Sequence, residues 1–228
     1  MAGSSVARQA LIIGASRGIG LELVRQYRAD GVAVTATARD DAGLARLAAL
    51  GARPLRLDVS NAAGCAGLAW PINGEAFDAI WLVAGVYGPR SQGLEPPTQD
   101  VFDAVMHTNV LAAMRLLPVL AESLAPGARL AVLSSRMGSI GLRNATSGWL
   151  YRASKAALNS VLKDASLQLA GRATCVALHP GWVQTDMGGA GADLSIERSA
   201  ADLRATVAAL TPADNGGFFN HDGQPLAW

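Results

Sequence analysis

Short apolar runs alternate along the chain with longer stretches in which apolar residues recur at helical spacing. Short apolar or β-branched runs between turn residues are typical of buried strands, whereas apolar residues at i, i+3, i+4 and i+7 are typical of amphipathic helices. This pattern predicts strands at residues 10–13, 32–38, 54–57, 79–83, 129–133, 174–178 and 218–220. It predicts helices over residues 19–29, 40–50, 62–70, 98–124, 150–169 and 195–210.

Strands that alternate with helices are typical of right-handed βαβ units. We therefore expect an α/β fold with a doubly wound, mostly parallel sheet. The chain contains no internal repeat and no linker of biased composition, so the pattern predicts a single domain over residues 1–228.

Composition and charge narrow the possible partners and the compartment. The 228 residues are 50% hydrophobic, which is enough for one large core, and the net charge of +1 gives no basic surface for nucleic acid. No signal peptide is visible in residues 1–9, and no run approaches the roughly 18 apolar residues that span a membrane. Cys65 and Cys175 are isolated, which favours reduced thiols in a cytoplasmic protein and predicts no metal site.

A glycine-rich turn follows the first predicted strand and precedes the first predicted helix. It reads Gly14-Ala15-Ser16-Arg17-Gly18-Ile19-Gly20. Glycines let a backbone turn sharply and approach a pyrophosphate, and the helix N-terminus beyond them offers unpaired N–H groups to an anion. We therefore predict a dinucleotide site, although the three-residue gap differs from the usual G-x-G-x-x-G. A glycine-rich turn without a ligand is the alternative.

Two arginines near this turn predict which dinucleotide binds. Arg17 lies inside the turn, and Arg39 follows the second strand, where sites that prefer NAD carry an Asp or Glu for the ribose hydroxyls. A guanidinium can bond a 2′-phosphate at two points, so we expect NADP(H) to be preferred over NAD(H) unless Arg39 is an ordinary surface residue. Asp58, after the third strand, is expected either to bond the adenine amino group or to cap the next helix, where Ser60 competes.

Tyr151 and Lys155 lie four residues apart in a predicted helix and therefore share a face. A phenol has a pKa of about 10, and a nearby ammonium is expected to lower the pKa of Tyr151. Tyr151 is then a general acid for carbonyl reduction and a general base for alcohol oxidation. A tyrosine and a lysine on a surface helix are the alternative.

Three further polar residues are candidates for the same site. Ser135 follows the fifth strand beside Ser134, and a hydroxyl there can hold a substrate oxygen, although Ser139 is a competitor. Asn109 interrupts a long apolar helix. It is expected either to hold a water that links Lys155 to solvent or to be a satisfied core amide.

Together these residues resemble the short-chain dehydrogenase/reductase family along essentially the whole chain, and within it the branch of C-factor and sniffer-type carbonyl reductases. The resemblance implies a Rossmann-type fold and a catalytic set of Asn109, Ser135, Tyr151 and Lys155. It implies that the cofactor contacts Gly14, Ser16, Arg17, Gly18, Ile19, Gly20, Arg39, Asp58, Val59, Ala84, Gly85, Tyr151, Lys155, Pro180, Val183 and Thr185. The chain departs from the family pattern at Ile13, where the family has Thr, at Val83, where it has Asn, and in a longer stretch between Ser135 and Tyr151.

The expected activity is hydride transfer between NADP(H) and a small carbonyl or alcohol substrate. A sugar-nucleotide epimerase is a second enzyme that the Tyr151–Lys155 pair allows, but such enzymes usually need a sizeable C-terminal substrate domain, and only 43 residues follow Thr185 (228 minus 185). The alternative outside the enzymes is a signalling or sensor protein of C-factor type with little turnover. Met137, Trp149, Trp182 and Met187 are expected to line an apolar pocket unless they pack in the core or at an interface. The family resemblance also implies a homodimer or homotetramer.

Overall fold

The computed structural model describes residues 7–91 and 93–228, so residues 1–6 of the predicted domain lie outside the described part. Its central feature is a sheet of seven strands, β1 (Gln9–Ile13), β2 (Ala33–Ala38), β3 (Arg53–Arg56), β4 (Phe77–Leu82), β5 (Leu124–Leu133), β6 (Ala173–His179) and β7 (Gly217–Asn220). Their order is β3-β2-β1-β4-β5-β6-β7, and every neighbouring pair is parallel. The predicted doubly wound sheet is confirmed.

Within residues 7–91 and 93–228, seven α-helices surround the sheet. They are α1 (Gly18–Ala29), α2 (Asp41–Ala49), α3 (Ala62–Gly67), α4 (Gln99–Met106), α5 (Ala112–Ala121), α6 (Trp149–Gln168) and α7 (Ile196–Ala209). Helices α1, α2 and α7 contribute to the core on one face, and α3, α5 and α6 contribute to the core on the other. A π-helical segment, His107–Leu111, joins α4 to α5.

Strand β1 explains why the predicted strands are apolar without alternation. Ala10 and Ile12 belong to the core on the side of α1, whereas Leu11 and Ile13 belong to the opposite core, and all four are fully buried. A strand that is covered on both faces needs apolar residues at every position. The same double burial holds the carboxyl ends of the central strands rigidly in place.

The helical stretch Gln99–Ala121 corrects one expectation from the sequence. By length and composition it is apolar enough to cross a membrane, contrary to the expectation that no run approaches that length. Half of its most apolar window is buried within the fold, and Leu116 and Leu120 are fully buried in one of the two cores. Here the apolar residues serve the core of an α/β domain.

Strand β5 begins earlier than the sequence predicted. The predicted helix ran to residue 124 and the strand began at 129, but the helix ends at Ala121 and Leu124 already pairs with Phe77. The register shifts between Phe77 and Ala79, and Gly127 takes a φ of +72° within the strand. The sequence predicted a turn at Pro126-Gly127. Proline and glycine also occur where a strand bulges, so these two residues do not distinguish a bulged strand from a turn.

Candidate active site

The candidate residues gather at the carboxyl edge of the sheet. Strands β1 and β4 are neighbours there, and the chain leaves them toward helices on opposite faces. Where neighbouring strands connect to opposite faces of a sheet, the loops that follow them separate and leave a crevice. Open α/β sheets bind their ligands in this crevice. The glycine turn follows β1, and the segment from Val83 follows β4, so the two loops border this crevice.

The glycine turn needs glycine for steric reasons that the structure makes explicit. Gly14 has a φ of +87°, and a Cβ there would lie 2.7 Å from the backbone nitrogen of Ala84. Gly18 has a φ of +54°, and a Cβ at Gly20 would overlap the carbonyl oxygen of Gly14. Gly14 and Gly20 therefore let the turn fold closely on itself and against Ala84, and Gly18 supplies a positive φ, despite their unusual spacing.

Helix α1 begins in a way that suits an anionic ligand. Its N-cap residue, Arg17, makes no side-chain capping bond, and its first turn carries no acidic residue. By contrast, Asp40 caps α2 and Ser195 caps α7 through their side chains. The first N–H groups of α1 are thus left for another acceptor, and with the helix dipole they fit the pyrophosphate of a dinucleotide.

Arg17 and Arg39 lie in different surroundings. Arg17 is exposed, and its Nη1 lies 2.7 Å from Asp186, which belongs to the segment after β6. An exposed ion pair of this kind is weak, so it leaves Arg17 open to exchange for a phosphate. Arg39 is exposed at the end of β2, with its backbone carbonyl bonded to Arg56. Only Arg39 follows the strand at the expected ribose position.

Asp58 is not the cap of the following helix. Asn61 caps α3 by accepting from the N–H of Gly64 at 3.1 Å, so the capping role expected for Asp58 or Ser60 is wrong. Asp58 instead accepts from the Ser60 hydroxyl at 2.7 Å and from its N–H at 2.9 Å. These bonds, with the charge of Arg39, lower the pKa of Asp58. An exposed carboxylate therefore stands at the carboxyl end of β3.

Tyr151 and Lys155 lie in the first turns of α6, as the sequence predicted. Both are buried, and the Lys155 ammonium lies 5.8 Å from the centroid of the Tyr151 ring. Lys155 donates to the carbonyl of Leu133, at the end of β5, at 2.8 Å. Burial lowers the pKa of Lys155 to about 8.

The pKa of Tyr151 departs from the sequence-based expectation. Burial raises it to about 12, a hydrogen bond with Ser135 lowers it in part, and the neighbouring Tyr87 raises it further. The expected lowering by Lys155 is wrong for the protein without cofactor, because burial disfavours both the phenolate and the ammonium. Tyr151 is consequently a protonated phenol at neutral pH, which is the form that donates a proton to a carbonyl oxygen.

Of the two candidate serines, only Ser135 is directed to Tyr151. It opens the 3-10 turn Arg136–Gly138, and its hydroxyl accepts from the N–H of Met137 at 3.1 Å. Its hydroxyl is also one of the groups that lower the pKa of Tyr151, which places Ser135 next to the tyrosine. Two hydroxyl groups so placed can bind one carbonyl oxygen between them.

Ser139 and Ser134 serve other parts of the molecule. Ser139 is fully buried, and its hydroxyl donates to the Trp228 carbonyl at 3.1 Å and accepts from the N–H of Leu142 at 3.0 Å. Ser134 bonds Asn159 at 2.5 Å. Both hydroxyls therefore form hydrogen bonds within the protein, away from Tyr151.

The side chain of Asn109 is engaged by protein groups. In the π-helical segment, its amide accepts from the N–H of Val86 and donates to the Val86 carbonyl, both at 2.8 Å. Its second N–H bonds Ser154 at 2.9 Å. A Cβ at Gly85 would lie 3.3 Å from both Asn109 Oδ1 and Lys155 Nζ. The side chain thus fits the satisfied-amide alternative, and it fixes the segment after β4 beside Lys155.

Val83 replaces the usual asparagine without loosening this segment. The N–H groups of Val83 and Ala84 both donate to the carbonyl of Ile13, at 2.9 and 3.1 Å. The Val83 side chain packs against the core. Backbone bonds and apolar packing thus steady the loop where the family pattern has an amide.

The segment after β6 closes the other side of the crevice. A Cβ at Gly18 would lie 3.5 Å from the Thr185 methyl group, so this segment faces the glycine turn. Val183 is buried, and Pro180 accepts from the Ser199 hydroxyl at 2.7 Å. Ser16 in the glycine turn, Ile19 at the start of α1 and Val59 after β3 are half-buried. The predicted cofactor segments therefore lie at one edge of the sheet.

The four expected pocket residues are not core residues. Trp182 and Met187 are 53% and 41% exposed, and Trp182 Nε1 donates to the Gly188 carbonyl at 2.9 Å. Met137 and Trp149 are half-buried beside the start of α6. None of the four side chains is therefore committed to either core, which leaves them free to contact a ligand.

Tyr87 is a residue that the sequence analysis missed. Its ring stacks on the Tyr151 ring, with centroids 4.5 Å apart and planes at 25°. Its position shortly after Ala84-Gly85, at the carboxyl end of β4, is the only sequence signal that indicated a place near the site.

Comparisons with known proteins agree with this geometry. The family model described as short chain dehydrogenase matches residues 8–193. C-signal of Myxococcus xanthus is 37% identical over 123 residues, which are 53% of this chain and 74% of that protein. The carbonyl reductase Sniffer of D. melanogaster is similar at 31% identity, with a TM-score of 0.86 over 98% of this chain and 100% of that one. A carbonyl reductase from Pseudomonas aeruginosa PAO1 in complex with NADP is similar at 33% identity, with the same TM-score and coverage.

Proposed function

Because the chain belongs to the short-chain dehydrogenase family, we propose that it is an NADP(H)-dependent carbonyl reductase that also oxidises the corresponding alcohol. The observation that carries this proposal is the buried pair on α6, in which the Lys155 ammonium lies 5.8 Å from the centroid of the Tyr151 ring. These groups lie at the crevice whose other loops suit a dinucleotide.

The side chains have different roles in carbonyl reduction. A nicotinamide cofactor held in the crevice would supply the hydride for the carbonyl carbon. Ser135 holds the carbonyl oxygen, and Tyr151 transfers its hydroxyl proton to that oxygen as negative charge develops there. The product is an alcohol and the tyrosinate is reprotonated from solvent. Lys155 would bind the ribose of a bound cofactor, and its charge would favour the transient phenolate. Asn109 positions the neighbouring backbone at Val86.

Arg39 supports a preference for NADPH over NADH. It stands exposed at the end of β2, whereas Asp58 lies one strand farther, at the end of β3. The guanidinium suits a 2′-phosphate, and the carboxylate suits the adenine amino group. The carbonyl reductase of Pseudomonas aeruginosa with NADP bound lends this assignment further support.

The surface around Tyr151 favours an uncharged substrate. Met137, Trp149, Trp182 and Met187 supply an apolar border with few charges. Burial of hydrocarbon there contributes roughly 25 cal/mol per Å², whereas a carboxylate would lose hydration without gaining a partner. The proposed substrate is a small or medium apolar aldehyde or ketone.

We also propose that the protein forms a homo-oligomer and that it is located in the cytoplasm. Phe102 and Met114 are apolar and exposed on α4 and α5, which suits a homodimer or homotetramer through these helices. Cys65 and Cys175 are free and buried, which suits a reducing cytoplasm.

The test is consumption of NADPH with a panel of neutral aldehydes and ketones. We expect turnover by the unmodified protein and a loss of roughly 10²-fold or more in Tyr151→Phe, because only the transferable proton is removed. NADPH binding, measured by fluorescence titration, is expected to remain near its original affinity. A Phe variant that keeps most of its turnover would show that Tyr151 is not the proton donor.

A signalling or sensor role is the second candidate, favoured by the similarity to C-signal. The same assay separates the two. Tight NADPH binding without turnover on any member of the panel would favour the sensor role over the reductase.

A further inference from the structure

The stacked pair Tyr87–Tyr151 joins the segment after β4 to the first turn of α6. Their ring centroids lie 4.5 Å apart at an interplanar angle of 25°. Offset stacking at this distance is a favourable arrangement of two aromatic rings beyond the area that they bury. The ring of the proton donor therefore rests on a second ring that comes from another loop.

Tyr87 is itself held in a defined position. Its neighbour Val86 is bonded through both backbone groups to Asn109, at 2.8 Å each. Arg90 lies over the Tyr87 ring at 5.8 Å. A segment pinned in this way presents the ring at a fixed place and not as a mobile side chain.

Gly148 provides the space that Tyr87 occupies. Gly148 precedes α6 with a φ of +66°, and a Cβ there would overlap the hydroxyl of Tyr87. Its N–H donates to the Ser91 carbonyl at 3.2 Å, which ties the same segment to the start of the helix. The loop after β4 thus packs through Tyr87 against the start of α6, the helix that carries Tyr151.

We propose that Tyr87 is a positioning residue that holds the ring of Tyr151 in the orientation from which it donates its proton. This inference rests on the proposed function. Three groups from separate elements face Tyr151: Ser135 from the end of β5, Lys155 from α6 and Tyr87 from the loop after β4. Of these, Tyr87 makes the broad contact that restrains rotation of the ring.

The two phenols are also coupled electrostatically. Tyr87 raises the pKa of Tyr151, after the larger effect of burial, because two neighbouring phenolates repel each other. Tyr87→Phe removes the hydroxyl and keeps the ring, so it is expected to lower the pKa of Tyr151. A ring that only packs against Tyr151 would not have this effect on the pKa.

The first experiment reads this coupling without relying on turnover. The chain has three tyrosines, so a carbon-13 label at tyrosine Cζ gives three NMR signals that Tyr→Phe variants assign. We expect Tyr151 to begin ionising at lower pH in Tyr87→Phe than in the unmodified protein. Tyr27→Phe removes a buried hydroxyl elsewhere, bonded to Trp81, and is expected to leave the Tyr151 titration unchanged. An unchanged titration in Tyr87→Phe would overturn the electrostatic coupling of the two hydroxyls, but not the ring contact, which this variant keeps and which the second experiment tests.

The second experiment separates positioning from folding. Tyr87→Leu removes the stacked ring, and we expect kcat for carbonyl reduction to fall roughly two- to tenfold while KM and NADPH affinity stay near their original values. Tyr87→Phe restores the ring and is expected to recover most of that loss. A Leu variant with the original kcat would overturn the proposal. If the unmodified protein reduces no carbonyl, the proposed function fails, and the titration still decides whether the two phenols are coupled.

Discussion

The Lys155 ammonium donates to the carbonyl oxygen of Leu133 across 2.8 Å, joining the second turn of α6 to the carboxyl end of β5. The lysine is 4% exposed, and burial lowers its pKa from 10.5 to about 8. A group that loses affinity for its proton on folding destabilises the folded state wherever the unfolded chain stays protonated. The site thus holds an ammonium at a cost in stability.

Lys155→Met is therefore expected to stabilise the protein while abolishing reduction. Between about pH 8 and 10.5 the unfolded chain binds more protons than the folded one, so the unmodified protein gains stability as pH rises through this window. The Met variant lacks this gain and has a higher Tm at pH 7, by roughly 2–4 °C for each kcal/mol relieved. Thermal unfolding at several pH values measures both effects. Lys163→Met, on the exposed side of α6, is the matched control, and a lower Tm for Lys155→Met contradicts the prediction.

Ser135→Ala and Ser139→Ala are expected to fail in different ways. Ser135→Ala removes a donor to the carbonyl oxygen and should lower kcat on the order of 10²-fold, with a loss of stability of about 1 kcal/mol from the bond to Met137. Ser139→Ala removes bonds to Trp228 and Leu142 and should lower stability by about 1 kcal/mol while kcat changes little. Side-by-side kinetics distinguish them, and denaturant unfolding measures the loss of stability in each. The reverse order of kcat losses would assign the catalytic hydroxyl to Ser139.

Arg39→Asp is expected to shift cofactor preference from NADPH toward NADH. A hydrogen bond to a charged group contributes roughly 1.5–3 kcal/mol, which corresponds to about ten- to a hundredfold in NADPH affinity. Fluorescence titration with both cofactors measures the shift. Arg53→Gln, at the opposite end of β3 and paired with Glu75, should leave the preference unchanged. Equal affinity of the unmodified protein for NADPH and NADH would refute the role of Arg39.

A matched pair of ketones tests the apolar border of the pocket. The neutral ketone is expected to have a kcat/KM at least tenfold above that of its carboxylate-bearing counterpart, because burying an unpaired charge is costly. Trp182→Ala should reduce kcat/KM for the neutral ketone more than it reduces kcat/KM for the carboxylate-bearing ketone. Preference for the charged ketone would indicate that a basic group, such as Arg90 over the Tyr87 ring, pairs with the carboxylate.

The sequence was most informative where chemistry and periodicity coincide. The i, i+4 spacing of Tyr151 and Lys155 is realised in α6, and the apolar runs are realised as strands because both faces of the sheet are covered. Ser135 was assigned from its place after a strand, since parallel strands bring their carboxyl ends to one edge.

Features set by tertiary contacts escaped sequence reasoning. Tyr87 lies in a loop without periodicity, so nothing local indicates that its ring meets Tyr151. The π-helical segment around Asn109 accompanies bonds to Val86, which is distant in sequence. Asp58, Ser60 and Asn61 are all good helix caps by residue type, and only the backbone geometry distinguishes Asn61.

The glycine turn has a consequence for how this enzyme could change over evolutionary time. At Gly14 and Gly20 a side chain would meet backbone atoms, which cannot move aside as a flexible side chain would. Single substitutions at these two positions are therefore expected to be strongly disfavoured, and the turn that we propose binds the cofactor's phosphates should vary little. Drift in cofactor use must instead come through exposed positions such as Arg39, where side chains are exchangeable. Laboratory evolution of cofactor choice should accordingly accumulate its changes after β2 and leave the turn untouched.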